Sequence, residues 1–175
     1  MKNSVFSLIV TDTSPLLTLA LADALHLLLK FDIEINIPDA VYIEATRVHG
    51  ASGASDIIEW FNKNLGYVHL VPTDIGIDQQ RRIEEGRSIR GLGELAAIEA
   101  LERFLRRNPH TQAILLFEDS DVQKRRAIVD ERVTLVSTGD FLRKLEHEGL
   151  IQSADYILDQ AALNGRNIDR QRKTP

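Results

Sequence analysis

Acidic side chains stand at the ends of two mostly apolar runs in this sequence of 175 residues. Asp12 follows the run Val5–Val10 after one threonine, and the acidic loop Glu118–Asp121 comes directly after five apolar residues, Ala113–Phe117. Acids crowded at the end of a buried strand raise each other's pKa unless a cation lies among them. A turn or helix-capping role for Asp12, and simple solvation for the loop acids, are the alternative interpretations.

Glu44 is a carboxylate on the apolar side of a predicted helix. It lies three residues after Val41 and one turn before Val48, on the inward stripe of a helix that begins at Pro38. Because burying an unpaired carboxylate is costly, Glu44 needs a partner. A salt bridge to Arg47, or a position facing solvent, is the simpler alternative.

Glu94 lies in the first turn of a strongly helical segment, behind Gly91 and Gly93. A carboxylate there complements the positive end of the helix dipole, which by itself would explain Glu94. Together with Asp12 and Glu44, however, it belongs to a set of carboxylates without thiols or imidazoles. Hard oxygen ligands of this kind select Mg²⁺ or Mn²⁺, and such ions can activate water and stabilise an in-line displacement at phosphorus.

The elements that must position these acids alternate along the chain. Strands are predicted at Val5–Val10, Phe31–Ile37, Tyr67–Val71, Ala113–Phe117 and Val133–Val136. Helices are predicted over Pro15–Leu29 (broken once or divided in two, with Asp23 capping the second part), Pro38–Val48, Ser55–Asn64, Leu95–Arg107, Ser120–Glu131, Thr138–His147 and Ser153–Asn164. Ser14 is the predicted N-cap of the first helix. Strands that alternate with helices indicate an α/β fold whose parallel sheet is covered on both faces.

The composition excludes several classes of site. The chain has no cysteine, which rules out disulfide scaffolds, thiolate zinc sites and cysteine nucleophiles, and fits a reducing cytoplasm. Its five histidines do not show a metal-binding spacing, and neither a P-loop nor a Gly-x-Ser-x-Gly motif is present. The most apolar stretch, Leu16–Leu29, is too short and too polar for a membrane span, so we expect a cytoplasmic protein with no membrane partner.

A nucleic-acid partner would have to contact a local basic patch, because the formal net charge is −5. Lys124, Arg125 and Arg126 follow the acidic loop on the next predicted helix and could reach phosphates beside the acids. A solvated helix face is the alternative. We expect one domain over residues 1–165, followed by a basic tail over residues 166–175.

Several short motifs resemble, in order, the motif series of the PIN-domain nucleases. They are Asp12-Thr-Ser14-Pro15-Leu16, Ile37-Pro38-x-x-Val41-x-x-Glu44, Gly91-x-Gly93-Glu94-x-Ala96-Ala97-Ile98, Leu115-Leu-Phe-Glu-Asp119-x-Asp121 and Ser137-Thr138-Gly139-x-Phe141-Leu142. Each motif is short, but the ordered set is fairly specific, and it spans most of the chain.

The resemblance implies a three-layer α/β/α sandwich with a central, mostly parallel twisted sheet, and a Mg²⁺/Mn²⁺-dependent endoribonuclease acting on an RNA substrate. It implies a catalytic quartet of Asp12, Glu44, Glu94 and Asp119. The implied metal ligands are Asp12, Glu94, Asp119 and Asp121, with Ser14 and Thr138 as polar support. Which of Glu118, Asp119 and Asp121 faces the metal stays open at this point.

Many bacterial relatives implied by this resemblance are toxins, so an antitoxin partner and a homodimer are further expectations. Two other readings are weighed against a nuclease. A PIN-like module could bind RNA or a partner without cleaving. A phospho-accepting receiver domain also gathers acids around Mg²⁺, but here Asp12 has no adjacent acid, and Thr138-Gly139 stands where such a domain carries a lysine.

Overall fold

A computed structural model describes residues 6–47, 51–89, 91–118 and 130–167 of the chain. The strands in these ranges are β1 Phe6–Thr11, β2 Glu34–Pro38, β3 Val68–Val71, β4 Gln112–Phe117 and β5 Val133–Ser137. The α-helices are α1 Thr13–Leu21, α2 Asp39–Thr46, α3 Ala54–Lys63, α4 Asp74–Glu84, α5 Leu92–Arg107, α6 Thr138–His147 and α7 Ala154–Leu163, and a 3₁₀ helix spans Leu25–Phe31. The helix predicted over Ser120–Glu131 lies almost wholly outside the described residues.

The strands form one sheet in the order β3-β2-β1-β4-β5, and every neighbouring pair is parallel. The α/β prediction is confirmed, and the layers are those of a PIN-like α/β/α fold. β1 lies at the centre, with Val10 opposite Leu115 and Thr11 opposite Leu116 of β4. Because parallel strands end at the same edge, this register brings the residues after β1 beside the residues after β4.

Two hydrophobic cores cover the two faces of the sheet. On one face, Ala97 and Leu101 of α5 pack against Val10, Leu115 and Phe117. The second core contains alternate residues of the same strands. Its buried members come from β1, β2, β3, β4, the 3₁₀ helix and α1, α2, α3, α6 and α7, among them Ile9, Leu16, Leu28, Ile35, Val41, Ile57, Leu116, Leu142 and Leu158. This alternation decides on which face the residue after each strand emerges.

The first helix begins two residues earlier than predicted. Asp12, in an extended conformation, is the N-cap residue of α1, and its side chain makes no capping hydrogen bond. The prediction of Ser14 as N-cap is therefore wrong, and Pro15 is the third helical residue. Pro15 is tolerated there because the N–H groups of the first turn have no partner within the helix.

Two further boundaries differ from the sequence prediction. The break after α1 is confirmed, but Ala24 rather than Asp23 precedes the 3₁₀ helix, because Asp23 adopts a left-handed conformation with φ of 53°. The mostly polar residues Asp78–Glu84, which lie in none of the predicted helices, belong to α4, which starts at Asp74 and is capped by the Thr73 hydroxyl. Its apolar periodicity is weak because its buried residues include Gly76 and Gln79.

In the described part of the chain, no single helix is long and apolar enough to cross a membrane. α1 and the 3₁₀ helix meet the length and composition criteria together, but they are bent by 113° at the break between them.

Candidate functional site

Four carboxylates converge beside the carboxyl ends of β1 and β4. Asp12, half-buried between β1 and α1, has a pKa raised to about 6. Burial is the largest cause, and the backbone N–H of Thr13 opposes it. The negative charges of Glu44, Glu94 and Glu118 raise the pKa further, so all three lie close enough to act on Asp12. We call these four acids the Asp12 group.

Glu44 uses both of its carboxylate oxygens in hydrogen bonds. Oε1 accepts from the backbone N–H groups of Leu92 and Gly93, each at 3.1 Å. Oε2 accepts from the Thr13 hydroxyl at 2.9 Å. The partner that Glu44 needs is thus the first turn of α5, rather than Arg47 or solvent. Through these contacts Glu44 ties α2 to the starts of α1 and α5.

Gly93 is required by the close approach of these groups. A Cβ atom at this position would lie 2.7 Å from Glu44 Oε2 and 2.7 Å from Thr13 Oγ1. Contacts that short would displace the carboxylate or the hydroxyl. Glu94 follows directly, half-buried in the first turn of α5, where a negative charge also complements the helix dipole.

Glu118 is the member of the group that comes from β4. Its side chain is 7% exposed, and Oε2 accepts a hydrogen bond from Arg166 Nη2 at 2.9 Å. Oε1 is buried and makes no hydrogen bond within the described residues. Burial raises the pKa of Glu118, while the charge of Arg166 and the hydroxyls of Thr18 and Thr138 lower it.

Strand alternation explains where Glu118 points. Leu115 and Phe117 pack on the α5 face, and Leu116 packs on the opposite face with α1. Glu118 shares the parity of Leu116, so its side chain emerges on the α1 side. This signal was present in the sequence, although Glu118 was not among the predicted catalytic residues.

Arg166 is a residue of this site that the sequence analysis assigned to the tail. Its guanidinium contacts the Glu118 carboxylate, the Ser14 carbonyl and the Thr18 hydroxyl. These partners lie 48 to 152 positions away along the chain, so no local pattern could reveal them. Thr13, which binds Glu44, was missed for the same reason.

The two residues predicted as polar support lie next to these contacts. Ser14 contributes its main-chain carbonyl to Arg166 at 3.2 Å. Thr138 begins α6 and is fully buried, and its hydroxyl lowers the pKa of the Glu118 carboxyl although it makes no hydrogen bond within the described residues. Their role in supporting a metal stays a prediction.

Several predicted residues fall outside the described ranges. These are the acids Asp119 and Asp121 and the basic residues Lys124, Arg125 and Arg126. Within residues 6–47, 51–89, 91–118 and 130–167, no three acidic or histidine side chains are arranged so that they could hold a metal ion. The predicted ligand set is therefore represented only by Asp12 and Glu94 in the described part of the chain.

The donor chemistry of the site nevertheless fits a hard divalent cation. The Asp12 group offers carboxylate oxygens, which are the ligands that Mg²⁺ and Mn²⁺ prefer. Glu118 Oε1 is a buried oxygen that makes no hydrogen bond with the described part of the chain. The repulsion that raises the pKa of Asp12 is what a cation would relieve. Glu44 fits less well, because its oxygens already accept three hydrogen bonds.

Comparison with known proteins agrees with this fold. A family model described as a PIN domain matches residues 8–172. Neither a curated protein nor a solved structure matches the chain. PIN domains are generally nucleases that bind nucleic acids and typically use divalent metal ions. Because the match covers far more than half of the 175 residues, the resemblance of the motifs is confirmed and the chain belongs to the PIN-domain family.

Proposed function

We propose that the protein is a Mg²⁺/Mn²⁺-dependent endoribonuclease that hydrolyses RNA phosphodiester bonds at the Asp12 group. The observation that supports this most is the convergence of four carboxylates from separate segments at the carboxyl ends of the two central strands, where open α/β sheets bind ligands. A divalent ion bound there would lower the pKa of a water molecule and stabilise charge on the phosphoryl group.

The proposed metal ligands are Asp12, Glu94, Asp119 and Asp121. Asp12 has a pKa of about 6 without a metal ion, so its carboxylate is mostly ionised at neutral pH and available as a ligand. Of the acids in the loop after β4, Glu118 lies within the described residues, and its charge raises the pKa of Asp12.

Glu44 completes the proposed catalytic quartet by positioning two of the other acids. It binds Thr13, the neighbour of Asp12, and Gly93, the neighbour of Glu94. One carboxylate therefore sets the separation of the segments that carry the two proposed ligands. Ser14 and Thr138 are proposed to support the same site from the Glu118 side.

The proposal also includes the contacts with RNA and a protein partner. Lys124, Arg125 and Arg126 are proposed to contact phosphates beside the scissile bond. A cytoplasmic toxin role, with an antitoxin and a homodimer, follows from the family resemblance alone. Expression of the chain should then arrest bacterial growth, and D12N should relieve the arrest; normal growth during expression of active wild-type protein would contradict a toxin role.

The nuclease proposal is tested with purified protein, an RNA labelled with a fluorophore and a quencher, and added Mn²⁺. We expect the wild type to cleave the RNA and EDTA to stop the cleavage. The cleavage rate should fall about 100-fold or more in D12N and E94Q, because several kcal/mol of transition-state stabilisation depend on these acids.

Matched controls lie on or just beyond the same helices. D23N makes the same charge change at an exposed residue just beyond the opposite end of α1, and E102Q does so at an exposed residue of α5. Both should cleave as the wild type does. Wild-type rates in D12N and E94Q would overturn the proposal, and RNA binding without Mn²⁺-dependent cleavage would favour a non-cleaving module.

A further inference from the structure

We propose that the guanidinium of Arg166 holds the place of a divalent cation beside Glu118, so that its removal lets the protein bind one additional divalent ion. The inference builds on the proposed metal-dependent function, but it concerns a residue of the C-terminal segment that the family motifs do not include. It assigns Arg166 as a positioning residue that sets how many metal ions enter the Asp12 group.

Three oxygen atoms of the protein surround the Arg166 guanidinium. Nη2 lies 2.9 Å from Glu118 Oε2 and 3.2 Å from the Ser14 carbonyl oxygen. Nε lies 2.8 Å from Thr18 Oγ1. A carboxylate, a carbonyl and a hydroxyl oxygen from two separate chain segments thus converge on one positive charge. Carboxylate and carbonyl oxygens are also the donors that hard divalent cations take in proteins.

The ion pair between Arg166 and Glu118 is mostly buried. The Glu118 side chain is 7% exposed and the Arg166 side chain 22% exposed, so the pair is largely shielded from solvent. Removing one partner of such a pair leaves an uncompensated charge, which is strongly unfavourable. Glu118 without Arg166 would keep two buried oxygens, of which Oε1 has no hydrogen bond within the described residues even now. A divalent cation at the place of the guanidinium would restore the balance of charge.

The fold also holds the backbone of Arg166 in position. Its backbone N–H donates to the Ala161 carbonyl at 3.0 Å, at the end of α7. Two residues earlier, Asn164 Nδ2 donates to the Leu21 carbonyl at 2.7 Å, which ties the same turn to α1. The guanidinium therefore reaches Glu118 from an anchored backbone. Because an arginine side chain stays protonated at all working pH values, the charge it supplies is permanent.

The test is a titration with Mn²⁺ alone, at neutral pH and without RNA, in which free Mn²⁺ is counted by electron paramagnetic resonance. If the wild type binds n equivalents, we expect R166M to bind n plus one. The double variant E118Q/R166M should return to n, because the carboxylate that would hold the additional ion is gone. R103Q is the matched control, since it removes an arginine paired with Asp74 and Glu99, and it should bind n.

The outcomes separate this inference from the proposed function. If R166M binds the same number of ions as the wild type, at any affinity, the inference is overturned while the metal-dependent function can stand. If the wild type binds none and R166M binds one, the inference is supported and the metal-dependent function fails. Should R166M not fold, as judged by near-ultraviolet circular dichroism, R166Q is titrated instead, because it keeps an N–H donor for Glu118 without the charge.

Discussion

Two groups of acids follow strands of the same sheet, but their oxygens are used differently. The Asp12 group lies beside β1 and β4. A second set, which we call the Asp39 group, consists of Asp39 after β2, Asp74 after β3 and Glu99 on α5. Both sets lie at the carboxyl ends of parallel strands, so position alone does not separate them.

The Asp39 group is occupied with structural hydrogen bonds. Asp39 Oδ1 accepts from the Ala40 N–H at 2.9 Å and from the Thr73 hydroxyl at 2.6 Å, while Oδ2 accepts from the Thr73 N–H at 3.2 Å. Glu99 accepts from the N–H groups of Asp74 and Ile75 at the start of α4. Arg103, which forms ion pairs with both Asp74 and Glu99, neutralises part of the charge.

The difference shows which feature marks the candidate site. In the Asp39 group, backbone and hydroxyl donors satisfy the Asp39 and Glu99 carboxylates. In the Asp12 group, Asp12 makes no side-chain capping hydrogen bond in α1, and Glu118 keeps a buried oxygen that accepts none from residues 6–47, 51–89, 91–118 and 130–167. The charges of the group also raise the pKa of Asp12. Glu44 combines the two situations. It belongs to the Asp12 group, but both of its carboxylate oxygens accept hydrogen bonds, as those of Asp39 do.

The largest expected difference is in RNA cleavage by two variants with the same substitution. D12N should lose about 100-fold or more of the Mn²⁺-dependent cleavage rate. An acid that binds the catalytic metal ion contributes several kcal/mol of transition-state stabilisation. D39N should stay within a few-fold of the wild type at a temperature where it is folded. Single-turnover cleavage measures both, and equal losses in the two variants would erase the functional distinction between the groups.

The next largest effect is on the free energy of unfolding, which should rise in D12N and fall in D39N. The pKa of Asp12 is about 6 in the folded protein, against an ordinary value of 3.8, so burial of the charged form destabilises the fold at neutral pH. The folded state therefore loses stability as the pH rises from about 4 to about 6. D12N removes this penalty, and its free energy of unfolding in the presence of EDTA should exceed that of the wild type by about 1–3 kcal/mol at neutral pH.

Urea denaturation at two pH values checks this account of Asp12. The advantage of D12N should be complete above the folded-state pKa of about 6 and should vanish below about pH 4, where Asp12 is protonated in both states. An advantage that does not change with pH would mean that the charge of Asp12 is not its cause.

D39N should instead destabilise the fold, by about 1–2 kcal/mol. The amide nitrogen of asparagine cannot accept, so the Thr73 N–H, or the Ala40 N–H and Thr73 hydroxyl together, would lose an acceptor. The same urea experiment measures it at neutral pH. A D39N protein as stable as the wild type would show that this carboxylate is as dispensable for the fold as that of Asp12.

The smallest expected effect concerns the glycine packed against Glu44. In G93A the new methyl group would meet Glu44 Oε2 and Thr13 Oγ1 at 2.7 Å, at a cost of about 1–3 kcal/mol. The better helix propensity of alanine offsets about 1 kcal/mol of this, so the net loss is the smallest of the set. G66A is the control, because a Cβ at Gly66 has no neighbour within 4 Å. Thermal unfolding should separate the two, with only G93A destabilised; equal midpoints would mean that the Glu44 contact tolerates displacement.

The sequence was sufficient for the order of the five strands, and apolar runs predicted them to within a few residues. Glu44 and Glu94 lie close enough to Asp12 to act on it electrostatically, as the sequence led us to expect, and the role of these acids as site residues stays a prediction. Local patterns could predict the strands because the central ones, β1 and β4, are mostly apolar runs that are largely buried.

The remaining features depend on contacts between distant segments. Asp12 becomes an N-cap because the register of β1 with β4 extends to Thr11, which a local Ser-Pro signal cannot show. The acceptor role of Glu44 needs the first turn of α5, nearly fifty positions away, and Arg166 reaches Glu118 from a segment predicted as a tail. The boundary predicted at residue 165 stays a prediction, although Arg166 packs against α1.

Binding of Mn²⁺ to D12N and D39N tests the central claim most directly, because it needs neither an RNA nor a partner. Each variant is titrated by electron paramagnetic resonance beside the wild type, at neutral pH and at a temperature where both variants are folded. We predict that D39N binds Mn²⁺ as the wild type does and that D12N binds at least about 10-fold more weakly, since loss even of a residue that supports a ligand costs that much. Wild-type affinity in D12N would contradict the account.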